Sequence, residues 1–179
     1  MNRLLARGSA LAAAVLAISG ITALSPASGA ETCTTTSNAK PILLPGIRPD
    51  TVVSIPVCLE TLSGGKGRGK ILFHWKLIND GQSDVTSKRF SSFQGITRLA
   101  SREPGGEDTG VKSPMCGFTD VLNSNAPEDP RLPIGCQSPW AVLDPGKQWS
   151  GDATAVYDIV GDGLGPITWQ LAGSPSASR

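Results

Sequence analysis

The sequence predicts an all-β protein, an antiparallel two-sheet sandwich of immunoglobulin-like architecture that follows a cleaved N-terminal signal peptide. Beyond that leader, no stretch carries apolar residues at the spacing of an amphipathic helix. Short segments instead alternate apolar and polar residues, and 21 glycines and 14 prolines are spread between them. Short alternating strands separated by turn residues are typical of two packed antiparallel sheets.

Residues 1–30 have the pattern of a secretory signal peptide. Arg3 and Arg7 precede an apolar run over residues 10–24, and small residues follow it up to Ala30. The run is shorter than the ~20 apolar residues that span a bilayer as a helix. We therefore predict cleavage after Ala30, a secreted extracellular protein, and no membrane association once the leader has been removed.

The remaining residues, 31–179, are predicted to form one β-sandwich domain. Of the 16 basic residues, Arg3 and Arg7 leave with the signal peptide, so 14 basic residues face 15 acidic ones and the net charge is −1. Nucleic-acid binding rests largely on phosphate electrostatics, so a near-neutral chain is not expected to bind nucleic acid as its main role.

The first half of this domain contains three predicted strands. Residues 41–46 form a proline-bounded edge segment, and residues 51–60 alternate as a strand in which Pro56 indicates an edge or a bulge. The glycine-rich residues 63–70 are predicted to be a flexible connection. Residues 70–80 then form the next strand, which ends at an Asn-Asp-Gly turn.

Further strands follow in the second half. Residues 91–101 place Phe93, Thr97 and Leu99 on one side of a strand, and residues 103–110 are a turn-rich loop. The turn at residues 144–146 is predicted to join two strands as a hairpin. Trp140 and Trp149 flank this turn, where they pair across the hairpin or, in the alternative interpretation, stack on a sugar.

A second hairpin is predicted from residues 153–173, with a glycine-rich loop at residues 161–166. Trp169 is expected in the core. Asp162 in this loop, with Asp152 and Asp158 nearby, raises the alternative of a calcium site. Their spacing does not match the calcium-loop pattern DxDxDG, and Asp-Gly is a common turn pair, so the turn interpretation is favoured and no metal or other cofactor is predicted.

Four cysteines remain after signal cleavage, and an even number in an exported chain indicates disulfides. We predict sequential pairing, Cys33 with Cys58 and Cys116 with Cys136. The alternative joins Cys58 to Cys116 around Trp75, in the manner of an immunoglobulin pin. Against it, Pro114 replaces the expected tyrosine two residues before Cys116, and the alternation places Cys58 on the polar face of its strand.

The chain has one histidine, His74, and it lies on the predicted strand over residues 70–80. Ile71, Phe73 and Trp75 share one face of that strand, so His74 falls on the opposite, outer face. A catalytic histidine needs a nucleophile and an orienting carboxylate, and the chain has neither a GxSxG nor an HExxH motif. We therefore expect a structural or surface histidine, no catalytic residue and no enzyme.

The segment between Cys116 and Cys136 is long, polar and proline-rich, so a disulfide would hold it in a restricted set of conformations before it binds a partner. The candidate interaction loop consists of Pro130, Arg131, Leu132 and Pro133. Arg131-Leu132 fits a protease cleft, although a plain surface loop is the simpler interpretation.

The sequence thus predicts an exported non-enzymatic protein that binds an extracellular protein or a cell-surface component through its loops. The first alternative is an inhibitor of extracellular proteases, and the second is a small hydrolase with a pair of carboxylates.

Overall fold

The computed structural model describes residues 29–34, 38–78, 84, 86–103, 105–112, 115–124 and 134–178, and β-strands are the main secondary structure of these ranges. The strands are β1 (Ala30–Cys33), β2 (Ala39–Ile42), β3 (Asp50–Ser54), β4 (Val57–Leu62), β5 (Lys66–Ile78), β6 (Phe90–Arg102), β7 (Thr109–Lys112), β8 (Cys116–Gly117), β9 (Ile134–Gln137), β10 (Ala141–Val142), β11 (Gln148–Ile159), β12 (Ile167–Gln170) and β13 (Ala177–Ser178), with one short helix, α1 (Thr119–Asn123). Residues 1–28 of the predicted signal peptide lie outside the described residues.

The first sheet is built around the long strand β5. β3 and β4 pair with its two halves in one continuous register, in which Ser54 lies opposite His74 and Val57 opposite Ile71. They therefore act as one strand, close to the predicted strand over residues 51–60, that is interrupted at Ile55 and Pro56. Pro56 marks neither a bulge nor an edge strand, because the register continues past it and β2 and β1 pair with the outer sides of β3 and β4. β1 and β2 pair with the outer side of β4 and β3, and β9 and β10 pair with β5.

The second sheet is built around β6 and β11, which pair antiparallel along almost their whole length, from Gln148 opposite Arg102 to Ile159 opposite Phe90. β12 and β13 pair with β11, and β7 and β8 pair with β6. The predicted hairpin over residues 153–173 is confirmed, because β12 follows β11 and pairs with it. The consecutive strands β4 and β5 are neighbours in the first sheet.

The main core lies between the two sheets and is centred on aromatic rings. Phe73 stacks on Phe118 with ring centroids 4.0 Å apart and meets the edge of Phe93 at 5.4 Å. Tyr157 stacks on the other side of this group, 5.2 Å from Phe93. Phe93, Thr97 and Leu99 are all buried, as their predicted shared face requires.

The predicted flexible connection over residues 63–70 is wrong for most of its length, because β5 already begins at Lys66. Glycine is present there because the two sheets touch. A Cβ atom on Gly69 would lie 2.1 Å from the carbonyl oxygen of Arg98 in the other sheet, and a Cβ on Gly151 would lie 2.1 Å from that of Cys58. These two glycines, which we call the glycine contact, let the backbones of the sheets approach each other.

Two Ser-Pro pairs hold the glycine contact from the sides. The Gly69 amide donates to Ser138 Oγ, and the Ser138 amide donates to the Gly69 carbonyl, both at 2.9 Å. Ser174 exchanges the same two bonds with Gly151, both at 2.8 Å. Each serine hydroxyl also donates to the carbonyl of its own following proline. Both serines are buried. Each is followed by a proline, which has no backbone N–H to donate, and the serine hydroxyl adds a hydrogen bond to the strand at that point.

The predicted hairpin around residues 144–146 is wrong. β10 pairs with β5 in the first sheet and β11 lies in the second, so the turn carries the chain from one sheet to the other. Trp140 and Trp149 therefore do not pair. Trp140 lies on the outer face, where the guanidinium carbon of Arg68 is 4.3 Å from the centroid of the Trp140 ring. Trp149 is buried between the sheets.

Both predicted disulfides are confirmed. Cys33 and Cys58 are register partners on β1 and β4 within one sheet. The predicted position of Cys58 on a polar face is wrong, because Cys58 is fully buried. Its neighbours Val57 and Leu59 are the residues of this strand that pack in the apolar clusters. Cys116 and Cys136 join β8 to β9, so their bridge also connects the two sheets, which the sequence did not indicate.

The segment after Cys116 is predicted to be polar, but its first residues include two buried apolar side chains. Phe118, which precedes the short helix α1, and Leu122 within α1 are both buried in the main core. The fully buried Arg89 donates to the carbonyl oxygens of Leu122 and Ser124 at the end of this helix, and its burial lowers the pKa of its guanidinium.

Candidate functional site

A second, smaller apolar cluster lies on the far side of the glycine contact from the main core. It consists of Leu59, Leu99, Leu143 and Trp149, all of them buried. The cluster is separate because the sheets touch at Gly69 and Gly151, where no side chain can fill the space between them. This division places four large apolar side chains at one end of the molecule.

Three residues of the small cluster, Leu59, Leu143 and Trp149, line a cleft of about 340 Å³, which we call the end cleft. Its walls come from the end of β4, the turn at residues 63–65 and the C-terminal strand β13. The side chains that line it include those of Leu59, Leu62, Leu143, Trp149, Ala177 and Ser178. Ligand pockets of proteins have volumes of about 300–1,000 Å³, so the end cleft has room for a small apolar group.

Backbone bonds hold the walls in place. The indole nitrogen of Trp149 donates to the carbonyl of Asp144 at 3.0 Å, which fixes the ring. The Leu143 amide donates to the carbonyl of Gly65 at 2.8 Å, and Gly64 and Gly65 supply the positive φ angles of the turn. Trp149 also lies opposite Ala177 in the β11–β13 ladder. The cleft is therefore formed before any ligand arrives.

The described residues that line the end cleft are mostly apolar. They include no carboxylate, imidazole, amine or thiol, and the hydroxyl groups among them are those of Thr61, Ser63 and Ser178. General acid–base catalysis needs a titratable group within hydrogen-bond reach of the substrate. The described lining offers apolar contact and a few hydrogen bonds to a ligand.

His74 lies on the outer face of the first sheet, as predicted. It is half-buried opposite Ser54, in a shallow depression of about 180 Å³ that Val52 and Lys76 also line. Trp75 points to the other face and belongs to the main core. Trp169 packs against the same core from its edge, with the ammonium of Lys40 lying 4.4 Å from its ring centroid.

The three aspartates of the calcium alternative have separate partners. Asp152 pairs with Arg98 at 2.7 Å, Asp158 accepts from the Ser91 hydroxyl, and Asp162 accepts from the Leu164 amide at 3.0 Å. Asp158 and Asp162 do line one open pocket of about 460 Å³ at the end opposite the cleft. Positive φ angles at three glycines of residues 161–165 support the predicted turn.

A cluster of three potential metal ligands is present at Glu31, Cys33 and Cys58, whose ligand atoms lie within 4.8 Å of one another. The two sulfur atoms are bonded to each other, so they are not thiolate ligands. In the part of the chain that is described, no helix is long and apolar enough to cross a membrane.

The predicted interaction loop, Pro130, Arg131, Leu132 and Pro133, lies outside the described residues. The disulfide that closes its ends is present. The end cleft itself was not predicted, because its lining comes from residues 59, 61–65, 143, 149 and 177–178, which are far apart in the sequence. The chain matches no protein-family model, no curated protein and no solved structure.

Proposed function

We propose that this chain is an exported, non-enzymatic β-sandwich protein that binds an apolar group of an extracellular or cell-surface partner in the end cleft. The observation that carries the proposal is a preformed apolar cleft that Trp149 lines, with no titratable group among the described residues around it. Export rests on the signal-peptide pattern of residues 1–30, and two disulfides are typical of extracellular proteins.

The structure favours a short apolar group over an extended partner. A volume of about 340 Å³ holds a few aliphatic side chains or the end of an acyl chain. Burial of apolar surface contributes roughly 25 cal/mol per Å², so the contact of such a group with Leu59, Leu143 and Trp149 supplies the binding energy. The hydroxyls of Ser63 and Ser178 at the cleft select its orientation.

A cleft-filling variant tests this proposal. Ser63 is exposed and lines the cleft, so Ser63→Trp places an indole in it without disturbing the core. Thr168→Trp, on the exposed face of β12, is the matched control. The probe is 8-anilinonaphthalene-1-sulfonate, whose fluorescence rises in apolar sites, titrated into the chain that begins at Glu31.

We expect saturable binding of the dye to the unmodified chain and to Thr168→Trp, and at least about tenfold weaker binding to Ser63→Trp, which corresponds to ~1.4 kcal/mol. Equal binding by all three chains, with equal melting temperatures, would show that the dye does not occupy the end cleft and would defeat the proposal.

The Cys116–Cys136 bridge favours a second candidate, an inhibitor of extracellular proteases. The bridge anchors both ends of the segment that contains Arg131 to β-strands of different sheets, and rigid anchors lower the entropy that a loop loses on binding. The hydrolase alternative has less support, because Asp158 and Asp162 each have a local hydrogen-bond donor and their pocket is open.

A further inference from the structure

The first strand of the described chain contains the predicted processing site. In β1, Ala30 lies opposite Thr61 and Glu31 lies opposite Glu60, so the Ala30–Glu31 peptide bond is part of the β1–β4 ladder. Two residues further on, Cys33 is bonded to Cys58. The bond that the signal peptidase must cut is therefore inside the folded sheet, although at its edge.

We propose that the Ala30–Glu31 bond is open to hydrolysis only before β1 pairs with β4, so that folding closes the processing site and the Cys33–Cys58 disulfide keeps it closed. The inference depends on the exported state proposed above and is independent of the end cleft. It sets an order of events: the leader is removed first, and the edge of the first sheet forms afterwards.

The chemistry of hydrolysis explains the closure. The oxygen of a water molecule bonds to the carbonyl carbon of Ala30, the C–N bond to Glu31 breaks, and the products are a carboxylate on Ala30 and an amine on Glu31. On the way, the Ala30 carbonyl oxygen carries negative charge, which a peptidase stabilises with hydrogen-bond donors of its own. In the folded chain this oxygen accepts a bond from Thr61 Oγ1 at 3.2 Å, so it faces β4 and away from an enzyme.

Gly29, the second residue before the scissile bond, is also close to β4. A Cβ atom on Gly29 would lie 2.4 Å from the carbonyl oxygen of Thr61 and 3.3 Å from Leu62. A peptidase binds its substrate as an extended chain with its own backbone alongside. On this side of Gly29 and Ala30 the space is already filled by β4.

Contacts after the scissile bond keep β1 from opening. Glu31 pairs with Lys70 at 3.0 Å, and the amide of Thr34 donates to the carbonyl of Val57 at 2.9 Å. The Thr34 hydroxyl accepts from the Val57 amide at 3.0 Å. A peptidase reaches a paired strand only through local opening, and a covalent bridge two residues from the site restricts that opening.

The test compares full-length chains from Met1 to Arg179, held in detergent with a purified signal peptidase, and follows by mass spectrometry the product that starts at Glu31. The chains are the oxidised wild type, Cys33→Ala/Cys58→Ala, its matched control Cys116→Ala/Cys136→Ala, and Val53→Asp. Val53 is fully buried in the main core, so a carboxylate there prevents folding and provides a full-length unfolded substrate. Circular dichroism establishes the folded state of each chain.

We expect Val53→Asp to be cut after Ala30 and the folded wild type to be cut at least about 100-fold more slowly, which corresponds to a cost of ~2.8 kcal/mol for the local opening of β1. Cys33→Ala/Cys58→Ala should be cut faster than the folded control that lacks the other bridge. Cleavage of the oxidised wild type at a rate within twofold of Val53→Asp would overturn the proposal. Cleavage of Val53→Asp at another bond would also overturn it, and would leave the end cleft untouched.

Discussion

Replacement of Gly69 by alanine tests whether the glycine contact shapes the protein. The new Cβ would lie 2.1 Å from the Arg98 carbonyl oxygen, whereas ordinary contact begins at 3.4 Å. The two sheets must therefore separate locally by about 1.3 Å, the difference between these two distances. Because the movement is local to Gly69, it also strains the two hydrogen bonds that Gly69 exchanges with Ser138, its neighbour in the same sheet.

The free energy of unfolding should fall by about 2–4 kcal/mol. Overpacking of a filled interior costs about 1–3 kcal/mol, and two weakened hydrogen bonds cost about 1 kcal/mol each. Alanine recovers about 0.5–1 kcal/mol, because glycine loses more backbone entropy on folding. For a domain of this size, a loss of 3 kcal/mol lowers the melting temperature by about 6–12 °C.

Urea and thermal unfolding of the chain from Glu31, followed by far-UV circular dichroism, measure the effect. The matched control is Gly117→Ala in β8, where a Cβ atom meets nothing within 4 Å and φ is not positive. The control should stay within about 0.5 kcal/mol of the wild type or become slightly more stable. Equal stability of the Gly69→Ala and Gly117→Ala chains would refute the argument that the sheets touch at Gly69.

Three further predictions concern single side chains. Hydrogen bonds from Ser87 and Thr86 lower the pKa of Asp84 from 3.8 to about 2. A carboxyl group whose pKa is lower in the folded chain than in the unfolded chain stabilises the fold above the unfolded pKa. The contribution of Asp84 to the free energy of unfolding is therefore present at pH 5 and is lost as the pH falls from about 4 to about 2. Urea unfolding at several pH values should show a shallower pH dependence for Asp84→Asn in that window, and parallel curves would contradict the pKa. His74→Ala should change the stability by only about 0.5 kcal/mol and leave dye binding unaltered, since His74 is on an outer face away from the cleft; loss of dye binding would give the histidine a role it lacks here. If the inhibitor candidate is right, the intact protein inhibits a trypsin-like protease and Arg131→Ala abolishes the inhibition; a panel of extracellular serine proteases with no inhibited member would exclude it.

The strands could be predicted from the sequence where one face is buried and the other is not. Ile71, Phe73 and Trp75 alternate with more exposed residues in β5, and the same rule locates β6 and the β11–β12 hairpin. The reason is physical, because successive side chains of a strand point to opposite faces. The pairing of Cys33 with Cys58 was predicted partly because the alternation in β4 places Cys58 on the face opposite Val57 and Leu59. The pairing is present, although Cys58 itself is buried.

Pairing between strands could not be read in the same way. The turn at residues 144–146 has the composition of a hairpin, but it connects two sheets, and nothing local distinguishes the two uses. Gly67 and Gly69 have the composition of a loop, yet they lie in a strand, where Gly67 makes room for the side chain of Leu143 and Gly69 for the backbone of the opposite sheet. The end cleft depends on both facts, so its lining residues were out of reach of local patterns.

The central claim, that the end cleft binds an apolar group, is tested most directly through the four tryptophans. Their indole N–H resonances report separately on the end cleft (Trp149), the main core (Trp75), the outer face (Trp140) and the sheet edge (Trp169). Nitrogen-15 correlation spectra of the chain from Glu31, recorded during titration with 1-hexanol and assigned with single Trp→Phe variants, should show a saturable shift of the Trp149 signal while the other three stay in place. An unmoved Trp149 signal, or shifts of similar size at all four indoles, would contradict the account.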